Sequence, residues 1–120
     1  MKRILVADDQ LVMRNMFKSI LSPEGYDLVL ACDGKEAYQL ATGSDFDLVI
    51  TDLYMPHLNG IELTTKLRAL KVYSGKPILI VSTEGAAGKK AEGKQAGATG
   101  WIVKPVSGDI LLPAVRKLMR

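Results

Sequence analysis

Five polar side chains lie at the ends of short apolar runs that are typical of buried β-strands. Asp8 and Asp9 follow the first run, Asp52 ends the third, Ser82 follows the fourth and Lys104 follows the fifth. In an open α/β sheet, ligands bind just beyond the carboxyl ends of the strands. If the first, third, fourth and fifth strands are neighbours, three carboxylates, a hydroxyl and an ammonium group converge in one crevice.

Three carboxylates in one crevice repel one another, so either one of them holds a proton or a cation compensates them. Hard oxygen ligands with room for water suit Mg²⁺. Asp52 is then a candidate nucleophile toward phosphorus, and the product would be an acyl phosphate. The metal and Lys104 would neutralise the phosphoryl oxygens, and the Ser82 hydroxyl would form a hydrogen bond with the bound group.

Each of these residues also has a purely structural interpretation. Asp52 can cap the helix that follows its strand, and Asp8 and Asp9 can cap the first helix. Ser82 can satisfy the end of its strand, and Lys104 can lie on the surface. Taken singly, these interpretations are the simpler ones. Polar residues at the ends of four different strands would be four separate coincidences on the structural interpretations, so together they favour the functional interpretation.

The rest of the chain supplies the elements that would position these side chains. Apolar runs predict strands at 4–7, 26–31, 48–52, 78–81 and 99–103. Helical spacing predicts helices at 12–21, 36–42, from 59 or 60, at 86–96, and from 107 or 109. Gly88 and Gly93 should make the fourth helix the weakest element. Pro113 is tolerable only near the first turn of the last helix. Five strands that alternate with five helices predict an α/β fold with a parallel sheet covered on both faces.

Composition narrows the class of protein. The 120 residues are 48% hydrophobic and 24% charged, which is ordinary for one soluble domain. The net charge of +3 without a Lys/Arg run does not favour nucleic acid binding. The apolar run at the start is cut off by Asp8 and Asp9, and no segment is long enough to cross a membrane. The single cysteine, Cys32, allows no internal disulfide and is expected to be buried or at an edge. We expect a cytoplasmic protein.

Four segments of the chain resemble the response-regulator receiver family, most closely its single-domain CheY type. They are 4–9 (ILVADD), 52–56 (DLYMP) with Gly60, 81–84 (VSTE) and 96–105 (AGATGWIVKP). Together they extend over the whole chain, and the set is far more specific than any one segment. The resemblance implies a flavodoxin-like, doubly wound (βα)5 fold with strand order 2-1-3-4-5, as in CheY itself.

The resemblance also assigns roles to the polar residues. Asp52 would be the phosphoacceptor, modified by the phosphohistidine of a sensor kinase. Asp8, Asp9, Asp52 and the backbone carbonyl of Tyr54 would hold Mg²⁺, with Mn²⁺ as the alternative ion. Lys104 would face the phosphate.

Further roles concern how the phosphorylated state is relayed. Ser82 takes the position of the switch hydroxyl, and Trp101 takes that of the switch aromatic, where Tyr or Phe is common. Tyr54 and Glu84 would tune the lifetime of the acyl phosphate. Family members usually have a cis peptide bond at the position of Lys104 and Pro105.

The function that the resemblance implies is a phosphorylation-controlled switch. Residues 1–120 would form a single receiver domain with no output domain. This domain would be no enzyme beyond its own phosphotransfer and autodephosphorylation. Its expected partners are a CheA-like sensor histidine kinase, the flagellar motor switch protein and a dedicated phosphatase. We expect a monomer that binds no nucleic acid and does not insert into membranes. The alternatives in the same class are a phosphorelay carrier and an isolated receiver of a larger regulator.

Two other classes of protein share features with this pattern. Phosphatases of the haloacid-dehalogenase type also use an Asp nucleophile and Mg²⁺, but they have a second Asp two residues later, where this chain has Tyr54. Flavodoxin-like electron carriers need a phosphate-binding loop rich in Ser, Thr and Gly after the first strand. Here that loop begins with Asp8, Asp9 and Gln10.

Overall fold

One parallel sheet of five strands organises the chain. The computed structural model describes residues 2–120. The strands are β1 (Arg3–Ala7), β2 (Asp27–Ala31), β3 (Leu48–Asp52), β4 (Ile78–Ser82) and β5 (Gly100–Val103). Their order across the sheet is β2-β1-β3-β4-β5, and all neighbouring pairs are parallel. The predicted flavodoxin-like α/β fold is confirmed.

Helices cover both faces of this sheet. They are α1 (Leu11–Leu21), α2 (Gly34–Thr42), α3 (Gly60–Arg68), α4 (Ala87–Ala96) and α5 (Gly108–Leu118). Successive residues of a strand point to opposite faces. Ile4 and Val6 therefore join the core beneath α1 and α5, whereas Leu5 and Ala7 join the core beneath α2 and α3. All five residues of β3 and of β4 are buried.

The second helix begins two residues earlier than the spacing predicted. Asp33 caps it, since one of its carboxylate oxygens accepts a hydrogen bond from the Glu36 N–H at 2.7 Å. The Glu36 carboxylate reaches back and accepts from the Cys32 N–H at 2.8 Å. This reciprocal arrangement satisfies N–H groups at the helix start and fixes the boundary at Gly34. Asn59 and Glu62 form the equivalent capping box at the predicted start of α3.

The last helix starts at one of its two predicted places, but it holds Pro113 further from its start than expected for a proline. Ser107 precedes the first residue of α5, and Pro113 is the sixth residue of the helix, beyond its first turn. Proline has no N–H to donate to the carbonyl four residues earlier, which belongs to Asp109. Asp109 is exposed at the start of the helix, where water can satisfy that carbonyl.

Two further observations concern the single cysteine and membrane spans. Cys32 follows the edge strand β2 and is exposed. Within residues 2–120, no helix has the length and apolar character that a membrane span requires.

Candidate functional site

An acidic cluster lies where β1 and β3 end side by side. The two strands pair in register up to Ala7 and Thr51, so the residues that follow are neighbours. One carboxylate oxygen each from Asp8, Asp9 and Asp52 lies within 4.8 Å of the others. Asp8 and Asp52 are buried and Asp9 is exposed. An all-oxygen donor set that is open on one side suits a divalent ion such as Mg²⁺ that keeps some of its water.

Backbone N–H groups fix the two buried carboxylates. Oδ1 of Asp8 accepts a hydrogen bond from the Gln10 N–H at 2.9 Å, and Oδ1 of Asp52 accepts from the Leu53 N–H at 2.8 Å. Each carboxylate therefore has one oxygen tied to its own loop. The other oxygen of each is directed toward a shared cation.

That cation is the ammonium group of Lys104, which follows β5. Its Nζ lies 3.3 Å from Oδ2 of Asp8 and 3.4 Å from Oδ2 of Asp52. Only 12% of the lysine side chain is exposed, so the surface interpretation of this residue is wrong. The Lys104 N–H donates to the Ser82 carbonyl at 2.8 Å, and the peptide bond to Pro105 is cis.

The electrostatic balance at Asp52 favours the protonated carboxyl more than in water. Burial raises the pKa of Asp52 above its usual range, and the neighbouring carboxylate of Asp8 raises it further. The ammonium of Lys104 and the Leu53 N–H oppose this rise but do not cancel it. The positive charge near ionised Asp52 is therefore too small to offset its burial and the charge of Asp8, and a bound divalent cation would supply more.

A chain of hydrogen bonds runs from Ser82 through Glu84 to Trp101. The buried Ser82 hydroxyl accepts from the Glu84 N–H at 3.1 Å. The carbonyl of the same Glu84 accepts from the Trp101 indole N–H at 2.9 Å. The N–H and the C=O of one residue thus connect the predicted switch hydroxyl with the predicted switch aromatic.

The comparison with known proteins settles the family. Residues 4–116 match the family model of the response regulator receiver domain. This chain belongs to that family.

Individual relatives give the same result. The chain is 40% identical over 111 residues to a chemotaxis protein CheY homologue of Campylobacter jejuni, which covers 91% of this chain and 85% of the relative. It is similar in structure to the chemotaxis response regulator CheY4 of Vibrio cholerae, with a TM-score of 0.94, 38% identity and 98% of each chain covered. It is 34% identical to the transcriptional regulatory protein SrrA of Staphylococcus aureus, where it covers 98% of this chain but only 47% of the relative.

Two positions next to the site in this receiver domain differ in exposure. Tyr54, two residues after Asp52, is 52% exposed. Glu84, two residues after Ser82, is half-buried, and its carboxylate accepts from the Ala86 N–H at 2.9 Å. The Glu84 side chain therefore holds the loop before α4, while its backbone N–H and carbonyl form hydrogen bonds with Ser82 and Trp101.

The site also depends on a glycine that the sequence marked only as weakening a helix. Gly93 of α4 is buried against the six-membered ring of Trp101. A Cβ at this position would lie 2.8 Å from Cζ3 of Trp101 and 3.1 Å from Cε3. At Gly88 of the same helix, a Cβ would meet nothing within 4 Å. The receiver's α4 is thus docked by a tryptophan from the sheet that packs onto its backbone.

Two further residues of the receiver were not singled out as part of the site. Arg14 of α1 donates from Nη1 to the backbone carbonyl of Asp8 at 2.8 Å, which ties the loop after β1 to the helix. Gly60 leaves no room for a Cβ, which would overlap the carbonyl oxygen of Asp52. Gly60 was visible in the sequence as a turn residue after the DLYMP segment. Arg14 had no signal beyond its place one turn into α1.

Proposed function

We propose that this receiver domain is a phosphorylation-controlled switch whose phosphoacceptor is Asp52. The donor would be the phosphohistidine of a CheA-like sensor histidine kinase. A carboxylate oxygen of Asp52 forms a P–O bond while the P–N bond of the donor breaks and its imidazole leaves. The observation that carries the proposal is the placement of Lys104 between Asp8 and Asp52, because an ammonium group there can neutralise a phosphoryl group on Asp52.

The acidic cluster is the proposed site of Mg²⁺, with Mn²⁺ as the alternative ion. Asp8, Asp9 and Asp52 would hold it, together with the backbone carbonyl of Tyr54. Bound there, the ion neutralises negative charge on the phosphoryl oxygens. The fit rests on the donor set, which consists of oxygens only, and on the unmet charge of Asp52 described above.

Relay of the phosphorylated state would begin at Ser82. Its hydroxyl oxygen accepts a hydrogen bond from the Glu84 N–H. On phosphorylation the hydroxyl would turn and donate to the phosphoryl group. The backbone of Glu84 would then shift, and Trp101, which donates to the Glu84 carbonyl, would shift with it. Phosphorylation would thereby change the population of two arrangements of the α4–β5 face.

The proposed output is binding to a protein partner, with the flagellar motor switch as the first candidate and a phosphatase as a further partner. The CheY homologue and CheY4 support a role in chemotaxis, since both are chemotaxis proteins. Lys90 and Lys94 of α4 flank Trp101 beside a groove of about 330 Å³, which offers a surface for a partner. On this proposal no metabolite is turned over.

Labelling with a small phosphodonor tests the assignment of Asp52. Wild-type protein should gain the mass of one phosphoryl group in the presence of acetyl phosphate and Mg²⁺, and should lose this gain in EDTA. Asp52→Asn should gain nothing, whereas Asp45→Asn, which changes an exposed aspartate outside the site, should behave as wild type. Labelling that survives in Asp52→Asn would show that the phosphoacceptor is another residue.

A second candidate function is that of a receiver in a larger regulator or in a phosphorelay. The match to less than half of SrrA favours this candidate, because a transcriptional regulator contains more than its receiver. Phosphorylated protein should be mixed with a motor-switch peptide and, separately, with a histidine phosphotransfer protein. Phosphate-dependent binding to the peptide supports chemotaxis, whereas transfer of the label to the second protein supports a relay.

A further inference from the structure

A groove on the α2–α3 side of the sheet lies outside the acidic cluster and outside the α4–β5 face. It runs between α2 and the loop that joins β3 to α3, and its volume is about 450 Å³. It is lined by Lys35, Tyr38, Gln39, His57, Leu58 and Lys66. Three of these six side chains are basic, and the floor is aromatic and aliphatic.

The positive charge of this groove is not balanced by the chain. Within residues 2–120, neither Lys35 nor Lys66 has a carboxylate within 4.0 Å. The nearest acidic residues in sequence are used as helix caps. Glu36 accepts from the Cys32 N–H at 2.8 Å, and Glu62 from the Asn59 N–H at 2.9 Å. Two lysines therefore remain available to an anionic group, and the His57 imidazole offers a further N–H.

The walls of the groove are held in place before any partner arrives. Nζ of Lys66 lies 5.0 Å from the centre of the Tyr38 ring, a cation–π contact that orients both groups. Leu58 packs so closely onto the start of α2 that a Cβ at Gly34 would overlap its backbone. His57, the residue before Leu58, adopts a left-handed backbone conformation with φ of 73°. This conformation sharpens the turn that places Leu58 against α2. A preformed groove loses little conformational entropy on binding.

We propose that this groove binds an acidic peptide segment of a partner protein. Carboxylates of the segment would pair with Lys35 and Lys66, and an apolar side chain would lie on Tyr38 and Leu58. A nucleic acid fits less well, because backbone phosphates need a longer basic track than two lysines around an apolar floor. The loop that forms one wall starts directly after Asp52, so such a partner would contact the segment that follows the phosphoacceptor.

Peptide titration followed by NMR tests this assignment with the full, unphosphorylated chain, so its outcome does not depend on the proposed phosphorylation. The probe is an acetylated peptide of six glutamates with one leucine in the middle. The largest amide shifts in wild type should fall at Tyr38, Gln39 and His57. The double variant Lys35→Glu/Lys66→Glu should bind about tenfold more weakly or worse, because two favourable charge contacts become repulsive.

The matched control is the double variant Lys18→Glu/Lys117→Glu. It exchanges two exposed lysines of α1 and α5, on the opposite face of the sheet, and changes the net charge by the same amount, so it reports general attraction between the peptide and a basic protein. Its affinity should fall less than that of the first variant, with both variants shown to be folded by circular dichroism. Three outcomes would overturn the proposal. They are shifts centred on α4 and Trp101, an equal loss in both variants, and a single-stranded oligonucleotide that shifts the groove more than the peptide does.

Discussion

Replacing Gly93 with alanine tests how the switch aromatic and α4 are joined. The added Cβ would lie 2.8 Å from Cζ3 of Trp101 and 3.4 Å from Cδ1 of the buried Ile80. Carbon atoms prefer separations of roughly 3.5–4.0 Å, so either the ring or the helix must move. Movement of the ring would strain or break the bond from its N–H to the Glu84 carbonyl.

The expected magnitude follows from two opposing terms. Overpacking of a close contact costs about 1–3 kcal/mol. An alanine inside a helix gains roughly 1 kcal/mol over glycine. Gly88→Ala in the same helix receives only the gain, because a Cβ there meets nothing within 4 Å. The free energy of unfolding of the two variants should therefore differ by about 1–3 kcal/mol, with Gly93→Ala the less stable.

Thermal unfolding and tryptophan fluorescence measure this difference. A gap of that size corresponds to a Tm difference of roughly 4–12 °C for a domain of this length. Trp101 is the only tryptophan, so its emission reports directly on the ring. Gly93→Ala should make the ring more accessible to a quencher, and Gly88→Ala should not. Equal gains in stability for the two variants, with wild-type emission in both, would refute a close contact between Gly93 and Trp101.

Three further predictions concern the acidic cluster and the switch. Since burial and Asp8 raise the pKa of Asp52, its ionisation opposes folding, and stability falls as the pH rises through the range between the unfolded and folded pKa values. Asp52→Asn should therefore have a higher Tm than wild type at pH 7 in EDTA. This difference in Tm should vanish below about pH 4, where Asp52 of wild type is protonated in the folded and in the unfolded protein. Mg²⁺ at a hundred times its Kd should stabilise wild type by about 2.7 kcal/mol, and differential scanning calorimetry should show a much smaller effect for Asp8→Asn. Ser82→Ala leaves the Glu84 N–H without its acceptor at a cost of about 1–3 kcal/mol, which urea titration measures. The exposed Thr83→Ala serves as the control for the last variant, and equal stability of the two would contradict the proposed bond.

The fold was predictable because its strands carry an unambiguous signal. Apolar runs such as Leu48–Asp52 are short, continuous and bounded by turn residues, and such runs occur where a strand is buried on both faces. Strand order could not be derived from spacing, since adjacency depends on how crossovers pack. It came from the resemblance to receiver domains, and the structure confirms it.

What the sequence could not reveal at the site depends on atomic contact between distant residues. Gly93 and Trp101 are eight residues apart, and only their packing shows that one makes room for the other. The link from Ser82 to Trp101 runs through the backbone N–H and carbonyl of Glu84, which every residue except proline has. Pro113 lies further into α5 than expected because the residue whose carbonyl it leaves without a helical donor, Asp109, is exposed, and that exposure is a property of the folded surface.

The central place of β3 in the sheet has a kinetic consequence. Its amides bond to strands on both sides, and all five of its residues are buried. We expect such amides to exchange their hydrogens with solvent only when most of the molecule unfolds, and we expect the amides of α4, which carries few apolar side chains of its own, to exchange through local opening. The residue proposed to carry the phosphoryl group thus ends a strand that is protected until the fold opens, while the segment proposed to respond can open without it. Hydrogen exchange measured along the chain should separate the two segments.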